Sequence, residues 1–124
     1  MGKKYKLGYS GMHTLDILRL EKKFLHWGHD ITSETNPIEA GLSFAVNLKK
    51  KNNFIGRDVI ENIINKKIFK RKLDLFSLKD KFKPGEPLLL YDEPIYSKNK
   101  LVGSTTSSNY SFCYRKNICL AYVL

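Results

Sequence analysis

The chain has 124 residues, with 22 Lys or Arg against 12 Asp or Glu, for a formal charge of +10. Its 42% apolar content is too high for a disordered tail, and its length limits it to one domain or two small pieces sharing a core. No apolar run approaches the ~20 residues that span a bilayer, and no apolar stretch follows the charged start Met1-Gly2-Lys3-Lys4-Tyr5, so neither a membrane span nor a secretory signal is expected and the cytoplasm is the expected compartment.

The positive balance raises a nucleic-acid partner, but the lysines are scattered, with small clusters only at Lys49-Lys50-Lys51 and from Lys66 to Lys72. Lys, Asn and Ile are abundant together, as codon bias in an AT-rich genome would make them. A solvated basic surface without a dedicated nucleic-acid partner is expected, one that still attracts anions such as a polyglutamate tail. Cys113 and Cys119 fit no metal spacing and are too few for a disulfide scaffold, so ordinary thiols are expected.

In chain order, Met12 to Leu25 reads as a helix, with Ile17, Leu18, Phe24 and Leu25 on one face and Leu15 and Leu20 widening it. Glu21 falls inside that stripe, where a carboxylate needs a partner, either a cation or a backbone amide. Trp27 to Asn36 is dense in Gly, Asp, Ser and Asn and marks a loop. Asn36 to Gly41 fits a single helical turn, with Asn36 as cap, Pro37 in the first position and Gly41 as the stop. Phe44 to Leu48 alternates like a strand, and Lys49 to Asn53 is a polar turn. Phe54 to Ile64 predicts a second amphipathic helix with Ile55, Val59, Ile60, Ile63 and Ile64 on its apolar side. With Gly56 as cap, Ile55 and Ile60 stand at the positions of a hydrophobic staple.

Beyond about Lys70 the pattern changes to short strands: Leu73 to Leu78, Leu88 to Tyr91, Leu101 to Ser107 and Ile118 to Leu124. Turns are predicted at Pro84-Gly85, Asn99-Lys100 and Lys116-Asn117, and the strands predict an antiparallel barrel or sandwich.

Chemistry is thinly signalled by the residues alone. His13, His26 and His29 lie near one another without zinc spacing, so no metal site is predicted. The segment from Gly103 to Ser108 offers hydroxyls but no neighbouring base, and strand packing explains it as well as a ligand does. The richest neighbourhood runs from Arg19 to Asp30. An Arg fork can hold a carboxylate and an indole can lie on a flat ligand, whereas Arg19 pairing with Asp16 and a core role for Trp27 is the structural alternative.

Four motifs in register carry a resemblance: Leu18-Arg19-Leu20-Glu21-Lys22, Trp27-Gly28-His29-Asp30, Asn36-Pro37-Ile38-Glu39-Ala40-Gly41-Leu42 and Phe54-Ile55-Gly56-Arg57. They are similar to the L-R-x-E-K, W/Y-G-x-D, P-x-E-A-G-L and F-I/V-G-R/K pattern of the glycine cleavage T-protein (aminomethyltransferase) family. The form His26-Trp27-Gly28-His29-Asp30 is more like the homologous domain of sarcosine and dimethylglycine dehydrogenases. Gly103 to Tyr110 resembles the family's G-x-x-T-S-G segment, with Ser108 where glycine is usual. Residues 118–123 resemble its I-A-L-A-Y-V strand, with Cys119 where alanine is usual.

The resemblance implies an α+β fold: residues 1–68 as the end of a folate-binding α/β domain, then residues 69–124 as an incomplete antiparallel β-barrel-like domain. It implies tetrahydrofolate as cofactor, bound weakly by the isolated chain, with Arg19 and Trp27 as cofactor-binding residues and Glu21 and Asp30 as supporting, structural positions. No catalytic residue is assigned, because the family's catalytic carboxylates belong to its N-terminal part. The chain is expected to be a fragment or split member of a tetrahydrofolate-dependent aminomethyltransferase that transfers no one-carbon unit alone. Its expected partners are folate, the missing N-terminal domains or a partner chain, and a second copy pairing along an open strand edge. The alternative is a non-catalytic structural piece that completes a larger enzyme.

Overall fold

The computed structural model describes residues 2–79, 83 and 86–124; the turn expected at Pro84-Gly85 lies outside them. A 3-10 turn at Gly2–Tyr5 precedes helix α1, Met12–Glu21. A long loop, a second 3-10 turn at Ser43–Ala45 and helix α2, Arg57–Lys66, follow. Strands β1 (Lys72–Ser77), β2 (Pro94–Ser97), β3 (Lys100–Ser111) and β4 (Lys116–Val123) then form one antiparallel sheet in the order β1-β4-β3-β2. The mixed α+β class and the antiparallel C-terminal sheet agree with the reading of the sequence.

The core is small. Leu20 of α1 packs on Leu73, Ile118, Leu120 and Tyr122 of the sheet, with Leu25 and Leu75 partly buried beside them. Of the expected apolar face, Leu20 is therefore the helix's buried contact residue, with Leu25 just beyond the helix beside it. Leu15, Leu18 and Phe24 are exposed because the sheet meets the face carrying Asp16, Arg19 and Leu20.

Helix α1 ends at Glu21, earlier than expected. Lys23 takes the left-handed conformation at φ 56°, and the amide of Phe24 donates to Arg19 O at 2.8 Å while that of Lys23 donates to Leu20 O at 3.0 Å. This is a Schellman closure. The Lys23 amine reaches Asp74 of β1 at 2.6 Å, so the reversal also ties the helix end to the sheet.

The Asn36 turn forms as expected. Asn36 Oδ1 accepts the amides of Ile38 and Glu39, each at 3.0 Å, and Gly41 closes the turn at φ 71°. Helix α2 starts at Arg57 behind Gly56, which sits at φ 85°. The staple does not form, since Ile55 is 104% exposed while Ile60 is buried.

Three strand-level expectations are corrected. Phe44 to Leu48 is not a strand: Ala45 and Val46 donate back to Leu42 and Ser43, which curls the segment into a 3-10 turn and leaves Phe44 84% exposed. Leu88 to Tyr91 is an irregular loop, because side chains take the carbonyls that a strand ladder would use. Ser108 Oγ donates to Leu89 O, and Thr105 Oγ1 to Leu90 O at 2.8 Å. The β3–β4 reversal falls on residues 112–115, with Arg115 at φ 53°, so Lys116 and Asn117 lie inside β4. The β2–β3 turn is centred on Lys98-Asn99, at φ 46° and 63°, one residue before the expected pair; both left-handed residues suit a tight hairpin.

Two outward amides of the edge strand β1 are taken locally: Leu73 N donates to Glu39 O at 2.7 Å and Leu75 N to Asp74 Oδ1 at 3.0 Å. Such covering blunts edge pairing. Among the described residues no helix is long and apolar enough to cross a membrane.

Gly103 of β3 is the tightest point of the sheet. A Cβ there would lie 2.0 Å from Tyr122 O, which is backbone and has no room to move aside. Gly103→Ala should therefore lower stability by about 3 kcal/mol, at the upper end of ordinary overpacking costs, read as a fall in the urea midpoint.

Candidate functional site

The site grows from one buried carboxylate. Asp30 follows the Gly28 turn and is 1% exposed. Its Oδ2 accepts Arg19 Nη1 at 2.7 Å and the His26 amide at 2.8 Å, and its Oδ1 accepts Thr106 Oγ1 at 2.6 Å. A charge taken from water is tolerable only when paired and hydrogen-bonded in this way. The phenol of Tyr122 donates to Asp30 O at 3.0 Å, fixing the same residue through its backbone.

Arg19 uses the whole guanidinium fork. Nε donates to Asp16 Oδ1 at 3.2 Å, Nη1 to Asp30 and to Phe24 O, and Nη2 to Ser107 Oγ at 2.9 Å. The structural alternative for Arg19 holds, since it pairs with Asp16 on the helix, and the same side chain also lines a hollow. Its donors, however, point mainly into protein, which makes it the brace of the wall.

A bulge in β3 makes the brace possible. Thr105 faces Ala121 and Ser107 faces Leu120, so Thr106 is the extra residue. A regular strand would send residues 106 and 107 to opposite faces. With the bulge, Thr106 reaches Asp30 while Ser107 reaches Arg19, and the flanking Thr105 and Ser108 both bond to the loop at residues 89–93. The sequence displays these hydroxyls without showing which way each points.

Between α1, the loop after it, β3 and the loop before β2 lies a hollow of about 370 Å³. Arg19, Thr106 and Ser107 form its floor, with His13, His26, His29 and Asn109 around it and Leu88 and Leu90 as apolar wall. The His26 and His29 rings lie 4.7 Å apart. Sequence reasoning noted the three imidazoles only as a weak metal candidate, and among the described residues no group of three ligating side chains is arranged to hold an ion.

Trp27 is not brought into this hollow: its indole is 66% exposed, on the loop that carries His26 and Asp30. A core role for Trp27 is excluded by that exposure. Glu21 lies apart from the hollow and finds its partners in the β3–β4 turn. Its Oε1 accepts Ser111 Oγ at 2.6 Å and the Cys113 amide at 3.1 Å, which together hold its carboxyl below the ordinary value.

The same carboxylate raises the thiol of Cys113, first by hydrogen bonding and then by charge. Burial pushes Cys119 up to about 11. Since the thiolate is the reactive form, only the exposed Cys113 should be alkylated in the native state, and slowly. Glu21→Gln keeps an acceptor for Ser111 but removes the charge, so Cys113 should react several-fold faster near pH 8, measured by mass spectrometry of the labelled chain.

Comparison with known proteins agrees with this geometry. The GCVT N-terminal domain family matches residues 1–50, and the glycine cleavage T-protein C-terminal barrel domain family matches residues 71–124. Mouse (Mus musculus) pyruvate dehydrogenase phosphatase regulatory subunit is 38% identical over 99% of the chain, and mouse dimethylglycine dehydrogenase 37% over 98%; the chain spans 14% of each. An aminomethyltransferase of Symbiobacterium thermophilum is 41% identical over 91% of the chain, which spans 28% of it. The fold also matches the crystal structure of glycine cleavage system aminomethyltransferase T from Bartonella henselae, with TM-score 0.79 and 24% identity over 96% of this chain and 32% of that one. With one domain family on α1 and its following loop and the other on the sheet that meets them, the chain belongs to the glycine cleavage T-protein, or aminomethyltransferase, family.

Proposed function

We propose that this chain supplies one wall of a tetrahydrofolate site in an aminomethyltransferase-type protein, and that it transfers no one-carbon unit by itself. The observation that carries this reading is the hollow of about 370 Å³ built on the Arg19–Asp30 brace, within the range of small-molecule sites at roughly 300–1,000 Å³. Its lining suits a flat, polar-edged ligand: Leu88 and Leu90 offer apolar surface, and the amide of Asn109 offers a hydrogen-bonding group.

In this reading residues 1–68 close the folate-binding domain and residues 69–124 form the barrel part. Arg19 positions the wall and Trp27 offers an exposed indole beside it. Tetrahydrofolate, when bound, would supply the nitrogen that accepts the one-carbon unit. The residues of this chain bind and orient it, while the rest of the cavity comes from further polypeptide, as the much greater length of the relatives suggests. The hydroxyls nearest the hollow act structurally: Thr106 donates to Asp30, Ser108 to Leu89 O, and Ser107 receives Arg19.

A second reading, a non-catalytic piece that completes a larger enzyme, is favoured by a separate observation. Met12, Leu15 and Leu18 on α1 and Ile55 and Val59 at α2 are large apolar side chains left exposed.

Trp27 is the only tryptophan and lies on the loop that carries His26 and Asp30, so its fluorescence reports on changes beside the hollow. Titration with tetrahydrofolate should change its emission with a Kd on the order of 100 μM, weak because half the wall is absent. Arg19→Lys, which loses the planar fork, should weaken binding at least about tenfold. No fluorescence change and no calorimetric heat would leave the completing-piece reading in its place.

A further inference from the structure

We propose that the imidazoles of His13, His26 and His29 form a carboxylate-accepting rim to the hollow, taking the anionic tail of a folate-type ligand. This rests on the folate reading above and adds to it the group that anchors the ligand's outer end.

The three histidines come from two elements, His13 from α1 and His26 and His29 from the loop after it, yet they line one opening. Among the described residues no hydrogen bond or ion pair holds any of the three rings. His26 and His29 touch each other at 4.7 Å, and His29 meets the Tyr91 ring edge-on at 6.2 Å. Their ring N–H groups are thus left to a ligand. Elsewhere in the hollow the polar groups are committed: Arg19 to Asp16, Asp30 and Ser107, and Thr106 to Asp30. An anion arriving at the hollow therefore finds open donors on the imidazoles, with the amide of Asn109 beside them, and Arg19 cannot serve it without breaking the brace.

Charge supports the same assignment. Among the described residues, the titratable or charged groups lining the hollow are the three histidines, Asp16 and Arg19 from α1, and Tyr91 from the loop before β2; β3 brings hydroxyl and amide groups, at Thr106, Ser107, Ser108 and Asn109. Asp16, the one carboxylate among these described lining residues, is paired with Arg19 at 3.2 Å. A neutral imidazole keeps one ring N–H donor and an imidazolium two, so in either form each ring can offer a carboxylate a donor.

The test is the affinity for tetrahydrofolate and for 6-methyltetrahydropterin, which has no carboxylate, read by Trp27 fluorescence and calorimetry. The triple substitution His13→Ala, His26→Ala and His29→Ala should weaken tetrahydrofolate binding about tenfold while leaving pterin binding and the urea midpoint unchanged, since all three side chains are exposed. Unchanged tetrahydrofolate affinity in the triple variant, or an equal loss with the carboxylate-free pterin, would overturn the rim while leaving the folate reading intact. Absence of tetrahydrofolate binding to the unsubstituted chain would overturn both.

Discussion

Asp30 is a carboxylate that the fold removes from water, and nearly everything that gives this chain a site follows from how that charge is neutralised. The guanidinium of Arg19 supplies the counter-charge, the His26 amide and the Thr106 hydroxyl complete the acceptor set, and Tyr122 holds the backbone. Removing one partner of such a pair leaves an unpaired buried charge at a cost of about 3–5 kcal/mol. Helix, loop and sheet are thus locked in one arrangement at the point where the hollow begins. A second carboxylate, Glu21, does a smaller version of the same work two residues beyond Arg19 on α1, fastening the β3–β4 turn to the helix.

The brace compensates for a thin core. Five buried apolar residues make up the central cluster, and many large apolar side chains remain exposed, so packing alone fixes few of the element positions. Directional bonds then decide geometry. The Schellman closure at Lys23, the Asn36 cap and the Thr105 and Ser108 straps each fix a segment that has little apolar burial of its own. The bulge at Thr106 is where these constraints meet, since it lets two consecutive hydroxyls serve the same ion pair.

Much of this was legible in the sequence where the signal was local. Asn36 and Gly41 announce their turn by residue type, the two helices show their periodicity, and the strands from Leu73, Leu101 and Ile118 show their β-branched and apolar runs. The need of Glu21 for a partner followed from its place beside leucines. What was hidden depends on residues far apart in the chain. The segments at Phe44 and Leu88 carry strand-like composition, but their backbone groups are claimed by a 3-10 turn and by hydroxyls of β3. The face of α1 that meets the sheet carries Arg19 and Asp16 beside Leu20, so hydrophobic periodicity found Leu20 but also included Leu15 and Leu18, which stay exposed. A bulge has no signature in a run of Ser and Thr, and without it the pairing of Thr106 with Asp30 and of Ser107 with Arg19 cannot be foreseen. Family resemblance singled out Arg19 and Asp30, and the geometry adds that they are partners.

A double-mutant cycle on Arg19→Ala and Asp30→Ala, followed by urea denaturation at neutral pH, tests the brace most directly. The account predicts a coupling of at least about 2 kcal/mol, because either single change strands the other partner while the double change does not. Additivity within about 0.5 kcal/mol would contradict it, since the two side chains would then be acting independently of each other.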